Sequence, residues 1–188
     1  MEVSTPFLVG AAIVVAAIVI LAWLVLRKKR TERLRDRFGP EYDRVVRSTG
    51  DPRRAEARLA ERAKRVEGFP LRPLSSADRS RFAARWRAVQ ARFVDDPAGA
   101  AADGDALIQE VMKTRGYPVG DFEQRAADLS VDHAGVVQNY RAARDIALRN
   151  RRGEATTEDL RQALVHHRNL FQELLEEPAP TMKEVRHG

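Results

Sequence analysis

The chain has 188 residues, with 33 Lys and Arg against 27 Asp and Glu (net charge +6), 11 Gly, 9 Pro and no Cys. That length suits one anchoring segment and one small domain. The lack of Cys excludes a disulfide scaffold, a Cys-ligated zinc or iron–sulfur site and a thiol nucleophile.

Residues 7–26, FLVGAAIVVAAIVILAWLVL, are 20 residues without a charged side chain. At about 1.5 Å per residue a helix of this length spans roughly 30 Å, the hydrocarbon thickness of a bilayer. Phe7 and Trp23 lie near its two ends, where aromatic rings suit the interface. Residues 1–6 carry no Lys or Arg, whereas Arg27, Lys28, Lys29 and Arg30 close the run and Arg33, Arg35 and Arg37 follow. The positive-inside rule then puts residues 1–6 outside and everything after Leu26 in the cytoplasm, as in a single-pass membrane protein. A cleaved signal peptide needs a basic start, a shorter apolar core and a small-residue cleavage site, and this segment has none of that layout. Ala12 and Ala16 form a small-xxx-small pair, which suits ordinary small residues facing lipid first and a packing seam for a second copy second.

Residues 27–73 hold 16 basic and 8 acidic side chains, whereas residues 74–188 are nearly neutral. The positive excess therefore sits beside the membrane. Two readings stay open: a topology determinant only, or a polybasic stalk that rests on anionic lipid headgroups, each base near the surface being worth about 1 kcal/mol. Gly39-Pro40 breaks the chain after the first helix. Pro40 to Ser48 suits a short helix, and Asp51-Pro52 starts another over 52–67. Ala55, Leu59, Ala63 and Val66 give that helix a thin apolar stripe, which predicts a solvated element leaning on its surroundings. Residues 68–73 read as an extended linker.

From Leu74 the patterning strengthens. Ser76 is placed to cap helix 77–94, where Phe82, Trp86, Val89 and Phe93 recur on one face. Asp96-Pro97 opens helix 97–115, whose Gly-containing first turns are expected to fray. Gly116 and Pro118 end it. Asp121 opens a short helix, Asp132 is placed to cap helix 133–150, and Gly153 ends that one. Thr156 with Asp159 forms a variant capping box before helix 157–177. Pro178 and Pro180 stop the chain's last helix and leave a polar tail, 178–188. No stretch alternates with period two. The expected fold is all-α: an N-terminal transmembrane helix, a charged linker helix, and a bundle-like domain of roughly five helices over 74–177.

The search for chemistry finds no cofactor or metal site and no catalytic constellation. His133, His166, His167 and His187 show neither Glu-x-x-His nor His-x-x-x-His spacing. The Asp residues at helix starts are explained as caps. No phosphate loop, nucleophile elbow or kinase signature occurs, so the chain reads as a non-enzyme. His167 falls on the apolar stripe of the last helix, and Tyr117 lies between Gly116 and Pro118. These two are the candidate partner-site residues, each weighed against simple burial. A helix-turn-helix over 121–150 would offer Gln138, Asn139, Arg141 and Arg144. Its acidic, apolar opening and the neutral charge of the domain argue against nucleic acid.

Four runs, RFGPEYDRVVRSTGDPRRAEARLAERAKRVE, RFVDDPAGA, RGYPVGDFEQRAADLSVDHAGVV and GEATTEDLRQALVHHRNLFQELL, together resemble an uncharacterised family of bacterial proteins. Its members have one N-terminal membrane span and a charged helical domain. The resemblance implies that architecture and a bacterial source, and brings no activity, cofactor or site residues. The expected function is a membrane-tethered cytoplasmic interaction or scaffold module with a protein partner. The alternative is a lipid-surface or envelope-stress role carried by residues 27–73.

Overall fold

A computed structural model of the chain describes residues 5–176, with side chains from Val14 onward. Among these residues the protein is entirely helical, with eight helices and no strand. Residues 1–4 and 177–188, with the tail read over 178–188, lie outside the described residues.

Helix α1 (Thr5–Phe38) runs for 34 residues, about 51 Å at roughly 1.5 Å per residue. It passes from the apolar run through Arg27–Arg30 without a break. The segment RKKRTERLRDRF explains this, being built of helix formers with no Gly or Pro inside it. The stop comes at Gly39, whose φ of 46° is open to a residue without Cβ. Pro40 follows as the first residue of α2 (Pro40–Thr49), where its missing N–H costs nothing.

Helix α3 (Pro52–Glu67) starts as read, with the Asp51 carboxylate accepting from the Arg53 N–H at 2.8 Å. Its setting does not match the expected solvated stalk. Ala55, Leu59, Ala63 and Val66 are all buried, in one cluster with Phe38, Tyr42, Val45 and Val131. A stripe of alanines is thin because the neighbouring helices come close, and α1 and α2 bring the bulky side chains to it. The C-terminal end of α1 with α2 and α3 therefore forms a second small core, seated on α6.

The linker is also packed. Phe69 and Leu71 touch both clusters, and the Arg72 N–H donates to the Arg115 carbonyl at 2.9 Å. Gly116 fits here for two reasons. Its φ is 98°, and a Cβ would stand 2.4 Å from the Pro70 carbonyl oxygen.

The main body holds the five expected helices: α4 (Ser76–Arg92), α5 (Pro97–Arg115), α6 (Phe122–Asp132), α7 (Ala134–Arg151) and α8 (Thr157–Glu176). Phe82, Trp86 and Val89 of α4 are buried, and Trp86 stacks on Phe171 of α8 with ring centroids 4.8 Å apart. Leu107, Ile108, Val111 and Met112 of α5 carry the centre. Helix α8 is the keystone, packing broadly on both α5 and α7, while α5 and α7 barely touch each other.

Two capping expectations and one of fraying need correction. Ser75 caps α4, its hydroxyl accepting from the Asp78 N–H at 3.0 Å, and Ser76 is already helical. Asp132 ends α6 and pairs with Arg37 at 3.6 Å; the residue before α7 is His133, which makes no side-chain cap. The start of α5 is packed rather than frayed, because Ala100, Ala101 and Gly104 are buried and α8 lies close over them. The Thr156–Asp159 capping box forms as read. Thr156 N–H donates to the carboxylate at 2.8 Å, and Asp159 N–H donates to the Thr156 hydroxyl at 3.1 Å.

The two cores are joined by a seam of ion pairs. Glu41, wholly buried, accepts from Arg62 of α3 at 3.0 Å, Arg141 of α7 at 3.1 Å and Arg44 at 3.4 Å. Gln138 of α7 donates to its other oxygen at 3.2 Å. Around it, Arg65 reaches Asp128 at 3.5 Å, and Arg141 reaches Glu123 at 2.8 Å. Burial is the main cause pushing the Asp128 carboxyl above its ordinary pKa, with Gln124 and Arg65 pulling the other way. Removing one partner of a buried pair leaves the others uncompensated, at a cost of about 3–5 kcal/mol. Glu41→Gln is therefore expected to lower the stability of the chain by about 3 kcal/mol in denaturant unfolding, with helical content intact in native buffer. A loss well under 1 kcal/mol would refute this role of the seam.

Candidate functional site

On the basic end of α1, Lys28, Lys29, Arg30 and Arg33 are exposed and Arg27 is half-buried, its guanidinium over the Trp23 ring at 5.4 Å. Lys28 pairs weakly with Glu32 at 4.0 Å, both well exposed. Helix α3 runs back beside α1. The Thr31 hydroxyl donates to Glu56 at 2.7 Å, and the Arg35 guanidinium covers the Tyr42 ring at 5.1 Å. The start of α3 therefore meets α1 at the level of residues 23–30. Trp23, Leu26, Arg27, Arg30, Arg53, Glu56 and Ala57 line a concave corner there, of about 450 Å³. Among the described residues Arg30 and Arg53 make no ion pair.

Of the residues singled out as anchors, Trp23, Arg27, Lys28, Lys29 and Arg30 are seen on one continuous helix. The side chain of Phe7 lies outside the described residues, as does that of Ala12. Among the described residues no helix is long and apolar enough to cross a membrane. Within the run 7–26, side chains are described from Val14 onward.

Tyr117 is not an exposed handle. It is 3% exposed, lies edge-on to Phe69 with centroids 6.3 Å apart, and its hydroxyl meets His133 Nε2 at 3.3 Å. The turn of Gly116 folds the ring back onto the body, where its apolar surface is buried. His133 does not bond locally. Its Nδ1 reaches across to Glu173 of α8 at 2.9 Å. Arg115, also buried, donates to the Leu174 carbonyl at 2.8 Å and so covers the C-terminal end of α8.

The four side chains that a nucleic-acid reader would need are engaged within the protein. Gln138 and Arg141 go to Glu41, Asn139 meets His166 Nδ1 at 3.2 Å, and Arg144 lies over the Phe122 ring at 5.3 Å.

His167 is 3% exposed. Its Nδ1 has no hydrogen-bond partner among the described residues, and it sits opposite Gly104, where a Cβ would approach to 3.1 Å. Tyr140 lies beside it with centroids 6.4 Å apart. Burial lowers the imidazole pKa to about 4; Asp105 of α5 opposes this and His166 adds to it. Burial likewise raises the Tyr140 hydroxyl, with the Asp105 charge adding. At neutral pH both rings are uncharged.

His167 also lines a cavity of about 240 Å³ between α5, α7 and α8. The cavity was not legible in advance, because its cause is negative: Ala98, Ala101, Ala102, Ala143, Ala147 and Ala163 supply too little volume to fill the gap between α5 and α7. Glu41 was missed for another reason. An acid in the first turn of a helix reads as a partner of the dipole, not as the centre of a buried cluster.

No protein-family model matches the chain, and no curated protein or solved structure does either. Among the described residues no group of His, Asp and Glu is placed to hold a metal ion.

The buried imidazole has a consequence for stability. Its folded pKa of about 4 lies below the ordinary 6.5. Above pH 6.5 neither state holds the proton. As pH falls toward 4 the unfolded chain takes it up first, so folding is penalised, by roughly 3 kcal/mol at most. Asp105, His166 and Tyr140 face the ring and Arg144 and Arg151 share the cavity lining with it, so the control must leave them in place. His167→Leu is expected to flatten the loss between pH 6.5 and 4, measured as the difference between variant and parent chain. Parallel curves would show that the ring is not the cause.

Proposed function

We propose that the chain is a membrane-anchored interaction module of a bacterial cell, with residues 1–6 outside and the helical body in the cytoplasm. The observation that carries this reading is the continuity of α1 from its apolar half into the core at Phe38. The RKKR cluster that follows the apolar run supports the orientation. Leu34 and Phe38 pack with α2 and α3, so the body is joined to its anchor by helix and not by a loose tether. Confinement to the membrane raises the local concentration of any membrane-bound partner, so modest intrinsic affinity suffices. The chain is assigned no reaction.

A second reading, an anionic-lipid surface role, is favoured by the corner between α1 and α3. Arg27, Arg30 and Arg53 converge there against the one carboxylate of Glu56, which leaves the lining with an excess of positive charge. With residues 7–26 in the bilayer, that corner lies at headgroup level.

A reporter fused after Gly188 is expected to register in the cytoplasm, and crosslinking in native membranes to return reproducible links from the body to a protein. An external reporter, or crosslinks to lipid alone, would overturn the first reading. For the second, Arg27→Gln, Arg30→Gln and Arg53→Gln together are expected to weaken the salt-sensitive preference of the reconstituted chain for phosphatidylglycerol over phosphatidylcholine discs. At about 1 kcal/mol per base the change is roughly a hundredfold. An unchanged preference in the triple variant would remove the corner from the account.

A further inference from the structure

Helices α5 and α7 both rest on α8 but hardly on each other, and the wedge between them is lined by alanine. Close packing normally leaves few voids as large as this one. An engineered apolar cavity of roughly 150 Å³ already admits benzene, so about 240 Å³ accommodates a ring or a short chain with a polar head.

The polar groups of the lining are asymmetrically arranged. At the floor is His167, with no hydrogen-bond partner on Nδ1 and Asp105 close enough to affect it electrostatically. On α7, Arg144, Asn150 and Arg151 contribute to the lining. Arg144 and Arg151 are seven residues apart, two turns on one face and about 10 Å along the axis, within reach of each other's long side chains. Neither makes an ion pair among the described residues, whereas Arg141 and Arg149 of the same helix are paired with acids. Arg144 does rest on Phe122.

We propose that this cavity binds a small monocarboxylate, its short apolar body lying on the alanines over His167 and its carboxylate held by Arg144 and Arg151. Charge selects a monoanion. Two guanidiniums and the Asp105 carboxylate leave one net positive charge in the lining, which suits a carboxylate and not a dianionic phosphate. The alanines and Leu160 of the lining select an apolar body. Gly104 is part of the same construction. A Cβ there would stand 3.1 Å from His167 Nδ1 and 3.3 Å from Leu164 Cδ1, so the imidazole would have to shift from its place in the lining.

Benzoate is the probe, with benzyl alcohol as its uncharged counterpart, titrated against the full chain in nanodiscs with empty discs as reference. Saturable binding that shifts the His167 imidazole resonances is expected, at least about tenfold tighter for benzoate than for the alcohol. Arg144→Gln with Arg151→Gln is expected to weaken benzoate by about tenfold. Ala102 is exposed and Ala147 half-buried, so Ala102→Leu and Ala147→Leu plug the cavity at positions where a leucine suits the helix. Both are expected to abolish binding while helicity by circular dichroism is retained. The proposal is overturned by the absence of binding above empty discs, by equal affinity for acid and alcohol, or by binding that survives both plugs.

Discussion

A carboxylate with no access to water must be neutralised by cations brought to it, and Glu41 is met by three. The guanidiniums come from α2, α3 and α7, so the group is satisfied only when three separate helices are in register. Ion pairing of this kind adds little net stability compared with apolar packing, but it strongly penalises every arrangement in which one partner is missing. It therefore fixes where the smaller core of α1, α2 and α3 sits on the larger one. The surrounding pairs, Arg37 with Asp132 and Arg65 with Asp128, extend the same constraint to α6.

The helices were largely legible because their punctuation is local. Asp51-Pro52 and Asp96-Pro97 mark starts that the structure reproduces, and Gly116 marks an end that its left-handed φ requires. The Phe82, Trp86 and Val89 stripe identified a buried face for the same reason, since 3.6-residue periodicity survives without knowledge of the partner. What depends on partners was not legible. The alanine stripe of α3 looked weak alone and is buried once Phe38, Tyr42 and Val45 are laid against it. The sequence around Tyr117, between Gly and Pro, suits an exposed handle or a ring folded back on the body, and the packing of Phe69 against it decides for burial.

The candidate sites divide along the same line. The cationic cluster after Leu26 is a matter of composition and can be read in one pass. The corner it forms with Arg53 cannot, because it requires α3 to run back along α1 across an intervening helix. His167 was located on its stripe by spacing alone, but its surroundings are contributed by residues more than sixty positions away on α5. The alanines that leave room beside it carry no signal, since alanine is as common in solvated helices as in tight packing.

Between Ala11 and Phe38 α1 contains neither glycine nor proline, and nothing in that stretch can act as a swivel. An α-helix of this length resists twisting and bending. A turn of the shaft about its long axis at Val14 is therefore a turn of the same sense at Phe38, and Phe38 is embedded in the small core that the Glu41 cluster clamps to everything else. Torque applied at one end is delivered to the whole body as rotation, without slack.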